Sequence, residues 1–298
     1  MLKRKPQAPL GASLVVLSSF FYASYGIWTK LLDNSLGGYT ASAIRSVLVM
    51  VMLVPIAVVG RKFSPIAWSK NSHYIIGMLF SSMFTWGPLF YAVLHAGVGI
   101  ALTINYAGII IGMFMFGWML VGESYTRDKF VSTVLSFVGL WLVFTPSVAH
   151  LGWLSLAAAV VSGLSAGANG VMAKKLTYNA TQSTVVMWAV SVIANAVMAG
   201  LIQEHVPTLS GIQWLYLVGF AAASVASSWS FVSGLKLIDA GAAGILGLLE
   251  IVFGVLFGVV LFGERIGIFV WLGVMVIIAA AAIPYVRDFN VIKGSLEN

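Results

Sequence analysis

Long apolar stretches separated by short polar ones run the whole length of the chain, and ten of them read as membrane-spanning helices. They are 10–32, 39–59, 73–94, 97–121, 129–146, 151–173, 183–203, 212–236, 240–262 and 267–286. Each has about 18 residues or more, enough for a helix rising 1.5 Å per residue to cross a hydrocarbon core of about 30 Å. Apolar periodicity says little inside a bilayer, so the informative signal is its reverse, polar or small residues recurring on one helical face. Ser18, Tyr22, Tyr25 and Thr29 form such a stripe in the first span, and Ser81, Thr85, Pro88, Ala92 and His95 form one in the third. The sixth span carries Ser162, Ser165 and Asn169, with Ser162 and Asn169 in the repeat positions of Ser18 and Tyr25. Asn105, Gly108 and Gly112 share a face of the fourth span; Gly247, Glu250, Gly254 and Gly258 share one of the ninth. Such faces point to other helices, and together they predict a partly polar lining.

Composition agrees with this pattern. Of 298 residues 60% are hydrophobic and 8% charged, with a mean hydropathy of +1.00, which describes a polytopic membrane protein without a sizeable soluble domain. The net charge of +7 reports topology rather than affinity for nucleic acid. Lys3, Arg4, Lys5, Arg61, Lys62, Lys70, Arg127, Lys129, Lys174, Lys175, Lys236, Arg287 and Lys293 fall on the side of the N-terminus, against Lys30 and Arg265 on the other, with Arg45 inside a span. Both termini are therefore expected in the cytoplasm and the chain in the plasma (inner) membrane. The start "MLKRK" resembles a signal sequence, but the span after it is too long and lacks a small-residue cleavage site, so it reads as retained. Asn179 of "NAT" falls in a cytoplasmic loop, out of reach of glycosylation.

The chain has no Cys, which excludes disulfides, thiolate metal sites and cysteine nucleophiles. Four scattered His, no HExxH and no paired acids at one depth speak against a metal site or an enzyme, and no Walker motif is present for ATP hydrolysis. No cofactor is expected.

Two local motifs recur. "GIWTKLL" after the first span matches "GVMAKKL" after the sixth, placing Lys30 and Lys174 at an offset of 174 − 30 = 144. "FGWMLVGE" ending at Glu123 matches "FGVVLFGE" ending at Glu264, and "HAGVG" at His95 mirrors "DAGAAG" at Asp239. The chain thus divides into five-span halves, 10–146 and 151–286, with tails 1–9 and 287–298. Five is odd, so the second half enters the membrane inverted. The expected fold is an all-α integral membrane protein, ten helices in two inverted five-helix repeats around a central cavity. Such repeats place a substrate site near the midplane and work by alternating access; duplication can also build a static scaffold or a channel.

Glu250 is the leading candidate for that site. It lies ten residues into its span, about 15 Å deep, with glycines one turn away on either side. One reading is structural, a neutral carboxyl bonded to a neighbouring Ser, Tyr or carbonyl; the other is binding of a cation, a coupling proton or an amine. Asn105, Tyr106, Tyr22, Tyr25, Trp86, Tyr91, Ser165, Asn169, Ser228 and Trp229 complete the expected substrate-binding set. Gly87, Pro88, Gly108, Gly112, Gly247, Gly254 and Gly258 are expected to act in helix packing or as hinges. Arg45, two turns into its span, is either an interfacial anchor or a site for a substrate carboxylate, and Pro55 is a simple kink.

With the paired "VGE" and "FGE", the duplication and the Lys ending spans one and six, the chain resembles the drug/metabolite transporter superfamily in its ten-span, EamA-type form. Within it, "YAVLHAGVGIALTINY", Tyr91 to Tyr106, is similar to the corresponding segment of YddG-type amino acid exporters. The resemblance implies a secondary transporter exporting neutral amino acids or related metabolites through a central cavity near Asn105 and Tyr106. The implied partners are a small-molecule substrate, the bilayer and a coupling proton. The alternative within the same fold is a multidrug exporter of lipophilic cations by proton antiport. Two departures from the family pattern stand out. Pro is absent near Ile110 and Ile251, and the cavity faces of spans one and six carry Tyr22 and small residues where exporters of aromatic amino acids have Trp.

Overall fold

The computed structural model describes residues 7–32, 36–65, 67–144, 152–205 and 208–296, with the side chains of Leu94 and residues 285–296 outside that description. The tail residues Lys3, Arg4 and Lys5 and the side chains of Arg287 and Lys293 therefore lie outside it. Every regular element among the described residues is helical. Ten helices cross in alternating directions: α1 (Ala8–Leu32), α2 (Gly38–Val59), α3 (Trp68–Ala96), α4 (Val98–Val121), α5 (Arg127–Val143), α6 (Trp153–Lys175), α7 (Ala180–Leu201), α8 (Gly211–Leu235), α9 (Ala240–Phe262) and α10 (Ile268–Leu296). Two are interrupted: α1 by a turn at Ser24, α9 at Leu248. α9 breaks beside Gly247 without a proline, whereas α4 runs on as an α-helix to Phe116 and ends in a π turn, Gly117–Val121.

Helix ends follow their local sequence. Thr126 and Asn179 cap α5 and α7 by accepting from Lys129 N and Gln182 N, and Ser210 with Gln213 forms a capping box on α8. Asn179, the asparagine of the sequon, also donates to the Lys62 carbonyl at 2.6 Å. The start of α2 has no cap of its own. Glu204, just past α7, supplies one by accepting from Tyr39 N at 3.1 Å and Thr40 N at 2.6 Å.

The halves interlock rather than sit side by side. α4 packs on α6, α3 on α6, α5 on α10, α1 on α8 and α2 on α7, each pair joining one half to the other. Glycines allow the tightest of these crossings. A Cβ on Gly108 would lie 3.1 Å from Gly163 Cα, and one on Gly112 would lie 2.9 Å from the Leu164 carbonyl oxygen. The glycine face expected on α9 is different. Open space lies beside Gly247 and Gly254, and Gly258 faces Glu264, so none of the three packs against another helix. Before its break α9 meets α1 directly, Ser19 reaching the Leu246 and Gly247 carbonyls. Beyond the break the contact is made by rings, with Phe253 and Phe257 edge-on to the partly exposed Phe20 at 5.5 and 5.3 Å.

Candidate functional site

A cavity of about 180 Å³ lies between α1, α2, α3, α6, α7 and α8. Tyr22 and Tyr25, Arg45, Ser82, Thr85 and Trp86, Ala166, Asn169 and Gly170, Met187, Trp188 and Ser191, and Phe231 line it. A larger groove of about 550 Å³, between Val47, Met50, Val51, Val54 and Pro55 of α2 and Ala189 and Val192 of α7, is wholly apolar. Val51, 65% exposed, places that groove on the lipid-facing surface.

Arg45 dominates the cavity. It is 4% exposed, yet its guanidinium has no ion-pair partner among the described residues and its Nε has no hydrogen-bond partner. Four rings surround it: Phe220 at 4.5 Å, Trp86 at 4.9 Å, Tyr25 at 5.0 Å and Trp188 at 5.6 Å from the guanidinium carbon. The rings are fixed from behind. Trp188 Nε1 donates to Ser228 Oγ at 2.8 Å, and Tyr25 Oη shares a hydrogen bond with Ser227 Oγ at 3.0 Å. Opposite, Asn169 Nδ2 donates to Ser82 Oγ at 2.8 Å and Ser81 Oγ at 3.1 Å. Cation–π attraction offsets part of the cost of desolvating the guanidinium, and its in-plane Nε donor is left open to an acceptor, for which a carboxylate is the strongest match.

Glu250 lies beyond that lining, in the first turn after the break in α9, and accepts from Tyr106 Oη at 3.1 Å. Ser19 of α1 donates toward the carbonyls released by the break, Leu246 at 3.3 Å and Gly247 at 3.5 Å. Tyr22 lies within electrostatic reach of both Arg45 and Glu250.

The expected site residues thus separate. Tyr22, Tyr25, Trp86 and Asn169 face the cavity. Glu250 and Tyr106 form an adjoining pair, and Ser228 acts through Trp188. Asn105 is buried and donates to Ser162 Oγ at 2.8 Å, which donates to the Thr85 carbonyl at 2.5 Å, tying α4, α6 and α3 together. Gly87 leaves room for Tyr39, whose hydroxyl donates to the Met83 carbonyl at 3.1 Å, and α3 passes through Pro88 as one helix. Ser165 is half-buried outside the lining, and Tyr91 stacks on the exposed His95 at 4.0 Å. Trp229 is 39% exposed, its indole donating to Thr181 Oγ1 at 3.1 Å. Trp188 and Ser191, missing from the expected set, share a face with Asn195 at helical spacing, a signal of the kind that marked the other spans.

The repeated motifs end α4 and α9 in the same way. Gly122 (φ 76°) and Gly263 (φ 65°) adopt the left-handed conformation, Glu123 N bonds the Gly117 carbonyl, and Glu264 N bonds that of Gly258, both at 3.1 Å. Each carboxylate then reaches into the other half. Lys174 Nζ donates to Glu123 Oε1 at 2.5 Å and to the Ile238 carbonyl at 2.6 Å, while Glu123 Oε2 accepts from Ala240 N at 2.7 Å. Lys30 Nζ donates to Glu264 Oε1 at 3.1 Å. The first pair is buried, 11% exposed on both sides; the second is open, at 55% and 51%. Two further lysines brace the buried pair. Lys129 Nζ meets Asp239 Oδ2 at 2.6 Å, and Lys236 Nζ donates to the Leu176 carbonyl at 2.9 Å. Burial, reinforced by the nearby charge of Lys174, lowers Lys236 to a pKa of about 8.

No curated protein matches the chain. A solved structure described only as the crystal structure of a protein is 15% identical, with a TM-score of 0.76 over 96% of this chain and 99% of that one, a likeness of fold. The profile of the EamA-like transporter family matches residues 9–145 and 153–285, one match in each half. With both halves matched and ten interlocked helices around a central cavity, the chain belongs to the EamA-like transporter family, within the drug/metabolite transporter superfamily, and is a multi-pass membrane transporter.

Proposed function

We propose that the protein is a secondary transporter that exports neutral amino acids across the plasma membrane by alternating access, with both termini in the cytoplasm. The observation that carries this reading is Arg45, a buried cation without an anion among the described residues, in an aromatic-walled cavity. A substrate carboxylate would satisfy the guanidinium in its plane. Ser82, Thr85 and Asn169 offer oxygen acceptors to an ammonium group, and Trp86, Met187, Trp188 and Phe231 offer an apolar wall to a side chain. The cavity suits a small metabolite, since about 180 Å³ falls below the roughly 300–1,000 Å³ of drug-sized pockets. A lipophilic cation would find the aromatic cage already occupied by the protein's own cation. The Glu250–Tyr106 pair is the candidate carrier of a coupling proton.

Counterflow in proteoliposomes tests this. Neutral amino acids should exchange, and their carboxamides, which lack the carboxylate, should neither exchange nor compete. Competition by a quaternary ammonium dye, with no amino acid exchange, would move the assignment to the multidrug reading.

A further inference from the structure

We propose that the Glu123 and Glu264 carboxylates are alternating latches, each closing its side by capping the first turn of the opposite half's broken or hinged helix, and that here Glu123 is latched and Glu264 released. The proposal rests on the transport reading but not on the identity of the substrate.

The latched arrangement is fully visible on the side of the N-terminus. Glu123 holds Lys174 Nζ with one oxygen and the Ala240 amide at the start of α9 with the other. That start is closed against α4. Residues Ala240 to Leu246 are all buried, and Gly241 lies so near the Phe114 ring that a Cβ there would overlap it. Inverted symmetry defines what the same latch would look like on the far side. The repeat offset carries Lys174 to Lys30 and Ala240 to 240 − 144 = 96, so Glu264 should hold Lys30 and the first turn of α4. Half of this exists, since Glu264 keeps Lys30. The other half is parted: no hydrogen bond joins Glu264 to the start of α4 among the described residues, and although Ala96 is itself 7% exposed, Gly97 has open space around it and Val98 is 58% exposed.

The same asymmetry extends into the helices. α4 packs on α6 through glycines, while its repeat counterpart α9 meets α1 through Phe20, Phe253 and Phe257. The first part of α9 still touches α1 directly, Ser19 reaching the Leu246 and Gly247 carbonyls, so the difference between the two halves lies beyond the break. The brace differs too: the positions equivalent to Asp239 and Lys129 are His95 and Val270, which offer no such ion pair. The N-terminal side is thus the more strongly tied, which favours a resting state open to the opposite side.

The chain has no cysteine of its own, so single reporters can be placed cleanly. Val98→Cys reports the first turn of α4 and Ala240→Cys, at a fully buried position, that of α9. Thiol labelling is followed in nanodiscs, where both faces are accessible. The expected result is fast labelling at position 98 and slow labelling at position 240. Glu123→Gln should speed labelling at 240 by at least about tenfold and slow it at 98, because loss of a buried charged partner shifts the two-state balance. Adding Glu264→Gln to Glu123→Gln should restore fast labelling at 98, since the far latch can no longer form. Glu264→Gln alone, at an exposed pair, leaves the buried network intact and should slow counterflow while keeping 98 fast. Unchanged rates in Glu123→Gln, protection at 98 that survives in the double variant, or wild-type counterflow in Glu264→Gln would each overturn the proposal.

Discussion

Replacing Arg45 with Met should produce two effects of opposite sign. The guanidinium is 4% exposed, surrounded by four rings between 4.5 and 5.6 Å, and carries no ion pair among the described residues. Desolvating it costs several kcal/mol, against which each ring returns about 0.5–2 kcal/mol, so without a bound substrate the two are close to balance and the charge adds little stability. Methionine keeps the length and apolar stem and removes the charge. The unliganded variant should melt at or above the wild-type midpoint, by about 2–4 °C for each kcal/mol relieved. Binding should move the other way. Two charge-assisted hydrogen bonds are together worth about 3–6 kcal/mol, so affinity for an amino acid should fall by about a hundredfold or more. In thermal denaturation of purified protein, ligand at about a hundred times its Kd stabilises the wild type by about 2.7 kcal/mol; the variant at that concentration should show almost none of this. Arg45→Lys should rescue only partly, because an ammonium lacks the planar pair of donors. An Arg45→Met protein that binds amino acid with wild-type affinity would refute the reasoning, and one that melts far below wild type would show that the charge is structural.

Three further outcomes are expected. Glu250→Gln should keep amino acid binding but lose the response of flux to an imposed pH gradient, measured in proteoliposomes; an unchanged response would remove Glu250 from coupling. Gly163→Ala should destabilise the fold by about 2–3 kcal/mol, since its Cβ would fall on the Asn105 carbonyl and 2.8 Å from Gly108 Cα, whereas Gly254→Ala, with open space around it, should stabilise by up to about 1 kcal/mol. Thermal denaturation separates these signs. Burial holds Lys236 at a folded pKa of about 8, below the ordinary lysine value of 10.5, so in that interval the unfolded chain binds more protons and stability rises with pH. That alkaline increment should appear in wild-type midpoints and be absent from Lys236→Met.

The membrane class, the span count and the inverted duplication were legible because length, hydropathy and the repeated Lys and Gly-Glu motifs are properties of the chain itself. The motifs could be recognised as markers but their purpose could not be read. Glu123 meets a lysine 51 positions away and Glu264 one 234 positions away, and only the interlocking of the halves brings them together. Arg45 shows the same boundary. Its placement within a span was evident, but the four rings around it come from α1, α3, α7 and α8, and no single span records that they, rather than a carboxylate, surround it among the described residues. Trp229 and Tyr91 fail differently, because an aromatic side chain suits a cavity wall and a lipid-facing surface equally well. Glycine is ambiguous in a similar way: Gly112 and Gly254 sit in similar stripes, and what each meets depends on the residue across from it.

The interlocked halves also bear on how the protein is made. α4 finds its tightest partner in α6, α1 in α8 and α5 in α10, so each waits for a helix that the ribosome has not yet synthesised. At about 5–20 residues per second, the interval between completing α5 and completing α10 lasts several seconds or more. Within it Gly108, Gly112 and Asn105 wait for α6, and Arg45 waits longer, for Trp188 of α7 and Phe220 of α8. Biogenesis of such a chain therefore depends on shelter for its first five helices at the insertion site, and a ribosome stalled between α5 and α6 should yield a product degraded rather than stored.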